Sequence, residues 1–200
     1  MAVLTSGNLA ITQSVMNLLM EGVEVEGGHE TLMEVPTMFR AAQLVGAAVR
    51  QVWKVDGPSL QAQSIRFDVS ILLGGQIHGR PHRLYHVYAA GNFIEATAES
   101  PYLQIGEHKY GKPILDRAVK HEMPIEDGIK LALISMDSTL RSNLSVGLPV
   151  DLLVCRRDEL RVGLRRRICD DDEYFRMIRE RWSAALREAY RGIPNPDWTT

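Results

Sequence analysis

The order in which helical and extended patterns occur limits the fold of this chain more than any single motif does. Two amphipathic helical patterns follow one another near the start, with no strand between them. A block of extended segments joined by tight turns comes next, then two more helical patterns, a strand pair and a last helix. A doubly wound parallel sheet would need strand and helix to alternate, so that architecture is excluded. Consecutive strands with tight turns pair antiparallel, and blocks of strands beside blocks of helices suit sheets covered by helical layers. The pattern therefore predicts an α+β fold, with a four-layer αββα sandwich as one arrangement that satisfies it.

The boundaries follow from punctuation. Residues 2–6 read as a short buried strand ended by Gly7, and Asn8 is placed to cap a helix carrying Leu9, Ile11, Val15, Leu18 and Leu19 up to Gly22. Glu24 to Glu34 is polar and glycine-containing, and reads as a loop. A second helix starts near Pro36-Thr37, with Met38, Ala42, Val45, Val49 and Val52 on one stripe, and should stop near Asp56-Gly57-Pro58. Strands are expected over Phe67–Gln76, Arg83–Ala89 and Phe93–Thr97, with turns at Gly79-Arg80-Pro81 and Gly91-Asn92. A helical region begins near Lys112-Pro113, and Pro124 opens a longer helix. Val150–Cys155 and Leu160–Ile168 read as a strand pair. The acidic run Asp170 to Glu173 suits the positive start of a final helix that carries Phe175, Ile178, Trp182, Ala185, Leu186 and Ala189 and ends at Gly192.

Composition removes several function classes. The chain has 200 residues, 45% hydrophobic, enough for one globular domain with a sizeable core over 1–200. With 23 basic against 25 acidic residues there is no basic excess, which argues against nucleic acid as a partner. Cys155 and Cys169 are too few for a disulfide framework or a cysteine metal site, and suit a reducing cytoplasm. No apolar run is long enough to span a bilayer, so no membrane partner is expected.

Four local motifs suggest chemistry of their own. Gly106 to Pro113 nearly spells a phosphate-binding loop, but Pro113 stands where a hydroxyl must coordinate Mg²⁺. His78, His82 and His86 are spaced by fours without the convergence that a metal needs, and read as a solvated strand face. Arg165-Arg166-Arg167 is followed by Asp170-Asp171-Asp172, which can pair with it. Ser142-Asn143-Leu144-Ser145 follows a helix that holds Asp137. Hydroxyls and amides at a helix end commonly satisfy orphan carbonyls, and the alternative is a polar pocket wall.

Taken together and in order, several phrases resemble one family along essentially the whole chain. They are Ser6-Gly7-Asn8-Leu9-Ala10, Ile71-Leu72-Leu73-Gly74-Gly75-Gln76, Gly91-Asn92-Phe93-Ile94-Glu95-Ala96-Thr97 and Gln104-Ile105-Gly106-Glu107. Lys109 to Leu115, Met136 to Gly147 and Phe175 to Trp182 complete the set. The chain resembles Anbu, the bacterial proteasome homologues related to HslV. The resemblance implies an N-terminal-nucleophile hydrolase fold and a peptidase subunit that assembles with copies of itself into closed or open rings. Peptides or unfolded proteins would be its substrates, and an ATP-dependent unfoldase a partner. In that chemistry the side chain of the first residue (Thr, Ser or Cys) attacks the amide and its own α-amine is the base, a role an amine titrating near neutrality can fill.

Residue by residue, the resemblance places Leu4, Thr5, Ser6 and Gly7 where the family supplies backbone donors to the oxyanion. Asp137 matches the acid that supports the catalytic N-terminus. Glu107 stands where relatives place an assisting serine. Met136, Thr139 and Ser142 match a loop whose carbonyls hold a cation in HslV-like relatives, so a monovalent cation is implied and no other cofactor is required. The family's nucleophile, its acidic partner and a lysine precede the strand at residues 2–6. As written the chain is thus expected to lack them, to be inactive by itself, and to start later than the natural protein. A non-catalytic assembly subunit and a small-molecule amidase are the competing readings.

Overall fold

The computed structural model describes residues 1–199. They form two compact units: 1–106 with 154–164, and 107–153 with the residues from 165 onward.

In the first unit, β1 (Ala2–Gly7) leads into α1 (Leu9–Glu21). Asn8 is extended, and its Oδ1 accepts the Ala10 N–H at 2.9 Å, satisfying a donor that the first helical turn leaves free. β2 (Val23–Val25) and β3 (Gly28–Glu30) then form an antiparallel hairpin where the sequence reading has a loop. Strands of three residues are too short for a period-two pattern to stand out.

α2 (Met38–Ala62) starts at Thr37, whose Oγ1 accepts the Arg40 N–H at 3.0 Å. It does not stop at Asp56-Gly57-Pro58 but runs through Pro58. An internal proline costs a helix about 3 kcal/mol. Packing on both sides of it holds the helix together. Leu60 reaches the core, and buried Gly57 lies so close to Trp53 that a Cβ there would come within 2.7 Å of the indole ring.

β4 (Val69–Gly75), β5 (Arg83–Val87) and β6 (Phe93–Glu95) complete an antiparallel sheet in the order β1-β4-β5-β6. The three strands fall inside the ranges read from the sequence. The expectation of a buried strand at residues 2–6 is corrected: β1 is an edge strand, with Leu4 56% exposed and Thr5 exposed. The alternation of side chains explains it. Val3 packs against the core, whereas Leu4 points to the opposite face of the sheet. The core lies between that sheet and the helices: Val15 and Leu19 of α1, Leu44, Val45 and Val49 of α2, and Ile71, Leu73 and Val87 of the strands are fully buried. Gly46 lets α2 approach the β5–β6 turn, since a Cβ there would meet the Gly91 carbonyl at 2.1 Å.

The second unit contains α3 (Lys112–Ala118), α4 (Ile125–Ser142), all but one end residue of each of the paired strands β7 (Val150–Val154) and β8 (Leu164–Ile168), and α5 (Glu173–Arg191). A 3-10 turn spans Asp197–Thr199. α4 starts after Pro124, as expected. Asp172 caps α5, its Oδ1 accepting the Phe175 N–H at 2.9 Å. Leu133, Ile134, Ile168, Phe175 and Ile178 form a separate, smaller core. No helix among the described residues is long and apolar enough to cross a membrane.

Candidate functional site

Asp137 is the most unusual residue of the second unit: a carboxylate with no exposed surface, on an α4 face that otherwise contributes Leu133 and Ile134 to the core. Burying a lone charge is costly, so it must be paired. Arg179 of α5 donates from Nε to Oδ1 at 2.8 Å, and Arg141, one turn along α4, donates from Nε to Oδ2 at 3.2 Å. The Arg179 guanidinium also stacks over the Phe175 ring, 5.2 Å from its centroid, so one side chain joins ion pair and core. Arg179 does not stand out in the sequence, because it lies 42 residues from its partner, whereas Arg141 stands at the i+4 spacing of a helical ion pair.

The C-terminal end of α4 carries a second polar cluster. Asn143 follows the helix and donates from Nδ2 to Glu107 Oε2 at 2.8 Å. Its Oδ1 accepts the Ser145 N–H at 2.8 Å and the Ser145 hydroxyl at 2.6 Å. Glu107 also accepts the Lys109 N–H at 3.0 Å. That N–H, and to a smaller degree the Asn143 amide, hold the Glu107 carboxyl below its usual pKa. Glu107, Asn143 and Ser145 therefore act as one hydrogen-bonded group.

Met136 and Thr139 lie within α4 and Ser142 is its last residue. The Thr139 carbonyl accepts the Asn143 N–H at 2.9 Å, and the buried Thr139 hydroxyl donates to the Ser135 carbonyl at 3.0 Å. Carbonyls collect at a helix C-terminus and carry partial negative charge, the donor set a hard cation uses. Gly111 leaves room for this helix: a Cβ there would fall 2.1 Å from Ser135 Oγ.

Leu4, Thr5, Ser6 and Gly7 belong to the first unit, whereas Asp137, Glu107, Met136, Thr139 and Ser142 belong to the second. The register sets Leu4 opposite Leu72 and Ser6 opposite Ser70. Gly7 adopts φ +106, and a Cβ there would fall 2.4 Å from the Asp68 carbonyl, so only glycine makes this turn into α1. The Asn8 N–H donates to that same carbonyl at 2.8 Å.

The other sequence motifs resolve differently. His86 Nε2 lies 3.2 Å from Ser70 Oγ, and burial lowers its pKa. Among the described residues no group of three or more His, Cys, Asp and Glu side chains converges as metal ligands would. Arg166 pairs with Asp172 at 2.6 Å, and Arg167 with Asp151 at 2.7 Å. Pairing of the arginine run with the acidic run is thus realised at Asp172, and Asp151 on β7 takes the second arginine. The loop at Gly106 to Pro113 enters α3, where Lys112 pairs with Asp116 at 2.6 Å.

No protein-family model and no curated protein sequence matches the chain. Solved structures do. Anbu from Hyphomicrobium sp. strain MC1, solved as a Gly-1 mutant, is 48% identical with a TM-score of 0.87, and the match covers 98% of this chain and 80% of that one. Anbu from Yersinia bercovieri, described as an ancestral beta-subunit, is 45% identical with a TM-score of 0.87 over the same shares. A helical assembly of the Anbu complex from Pseudomonas aeruginosa is 46% identical with a TM-score of 0.87, covering 97% of this chain and 79% of that one. Likeness of this extent shows the proteasome-like, N-terminal-nucleophile hydrolase fold as well as ancestry, and the chain belongs to the Anbu family.

Proposed function

We propose that the protein is a peptidase subunit of proteasome type that works within an assembly of its own copies. The observation that carries this reading is identity of 45–48% to Anbu structures along 98% of the chain. The assembly half is supported by the relative from Pseudomonas aeruginosa, solved as a helical assembly. In this reading an N-terminal Thr, Ser or Cys attacks the peptide carbonyl and passes its proton to the α-amine. Backbone N–H groups of the Leu4–Gly7 segment stabilise the oxyanion. Asp137 supports the catalytic N-terminus, as the resemblance implies, and Glu107 stands in the place of an assisting serine. As the resemblance implies, the carbonyls of Met136, Thr139 and Ser142 on α4 would hold a monovalent cation. Unfolded polypeptide in the cytoplasm is the substrate, delivered by an ATP-dependent unfoldase.

Hydrolysis of fluorogenic peptides by the assembly purified from its own cells tests this reading. It predicts turnover that disappears when the N-terminal nucleophile is replaced by alanine; turnover that survives the replacement contradicts it.

A second reading, a non-catalytic assembly subunit, has one observation in its favour. Both carboxylate oxygens of Asp137 already accept from Arg141 and Arg179. An acid so engaged can serve as a structural tie without touching a catalytic N-terminus. Under this reading Asp137→Asn lowers stability and leaves peptide turnover absent in wild type and variant alike. Under the first reading the variant also lowers turnover.

A further inference from the structure

α5 changes character halfway along its length. Phe175, Ile178 and Trp182 recur at helical spacing and pack on the core of the second unit. The same stripe continues through Ala185, Leu186, Ala189 and Tyr190 to Ile193, but there it is exposed, with Leu186 50% and Tyr190 61% accessible. A stripe that runs on after its own core has ended is an apolar face in want of a partner.

The flank of this stripe carries charges suited to a second copy of the same helix. Arg181 and Glu188 lie two turns apart on one side, both exposed, and neither forms an ion pair among the described residues. In an antiparallel helix pair, like flanks face one another. If Ala185 of one copy meets Ala185 of the other, each Arg181 comes within one helical step, about 1.5 Å along the axis, of the other copy's Glu188. The same register lays each Trp182 over the small Ala189 of the other copy, large side chain against small, which lets the two helices approach closely.

We propose that the C-terminal half of α5 is a self-association seam that pairs antiparallel with α5 of a second copy. The proposal rests on the reading that the chain assembles with itself, and adds to it the surface, the direction and the contacts. The seam is two-fold: each copy gives and receives the same residues, with Leu186 near the centre and Arg181–Glu188 pairs at both ends.

The experiment is sedimentation velocity and light scattering on the full chain, with far-UV circular dichroism as the check on folding. The wild type should assemble. Leu186→Glu should reduce the mass of the assembly by at least half without loss of helix, because Leu186 is half-exposed and outside both cores. Glu188→Arg should raise the dissociation constant about tenfold, and Arg181→Glu combined with Glu188→Arg should restore it. A monomeric wild type would overturn self-assembly altogether. An assembled wild type whose mass is unchanged by Leu186→Glu would overturn the seam while leaving self-assembly standing. Failure of the double reversal to rescue the single one would overturn the antiparallel pairing.

Discussion

α2 and α5 are the two longest helices and both are amphipathic, yet they relate to the rest of the chain in opposite ways. α2 places ten of its 25 residues in the buried class and α5 only two of its 19. α2 buries a continuous apolar face from Met38 to Val52 and keeps contact with the core beyond its proline, through Leu60. α5 is held at its start by Phe175, Ile178 and an arginine on a buried carboxylate, and then leaves its core behind. A periodic apolar stripe establishes that a helix will form. It says nothing about whether the surface covering that stripe belongs to the same molecule.

The strongest break in this comparison is a paired truncation. Leu44→Ala empties a fully buried position in α2 and should cost about 3 kcal/mol in urea unfolding. Leu186→Ala removes the same atoms from α5 and should change the stability of the isolated subunit by less than about 0.5 kcal/mol. A large loss at Leu186 within one subunit would mean that its face is already covered.

Next in size is the tie between α5 and α4. Arg179→Met keeps the aliphatic stem over Phe175 but leaves buried Asp137 with Arg141 alone, and Arg141 is itself half-exposed. A loss of about 2 kcal/mol is expected, read by the same unfolding experiment. No loss would mean that Arg141 and water suffice.

The smallest effect concerns the cap of α5. Asp172→Ala should cost about 1 kcal/mol, whereas Asp172→Asn preserves the acceptor for the Phe175 N–H. The Arg166 guanidinium, together with the Phe175 N–H, holds the Asp172 carboxyl below its ordinary range. The folded-state pKa is therefore lower than the unfolded one. The stability this provides is complete above the unfolded value and is lost as pH falls through the folded value. Wild type should lose stability on acidification below the usual carboxylate range more steeply than Asp172→Asn, as followed by thermal melts across that range. Parallel profiles would remove Asp172 from the account.

Caps and turns made much of the fold readable in advance. Asn8, Thr37 and Asp172 all carry the side-chain oxygen that a helix start needs, and the helices begin where those residues stand. Gly7 and Gly91 mark turns that a side chain would obstruct. What escaped was set by distant contacts. Pro58 reads as a stop, but Leu60 and Trp53 pack across it. β1 reads as buried because it opens with Ala2, Val3 and Leu4, while its place at the sheet edge is set by the strand order β1-β4-β5-β6. For the candidate site, resemblance picked out Asp137 and Glu107, yet their partners Arg141, Arg179, Asn143 and Ser145 come together only when α4, α5 and the loop at Glu107 are folded. No spacing along the chain announces a buried carboxylate held between two helices.

The most direct test of the central claim is capture of the nucleophile. Protein isolated from its own cells would be treated with an electrophilic peptide, a vinyl sulfone or an epoxyketone, and the adduct located by mass spectrometry. The account predicts a single adduct on the side chain of an N-terminal Thr, Ser or Cys. Absence of any adduct, or one formed on a residue elsewhere in the chain, would contradict it.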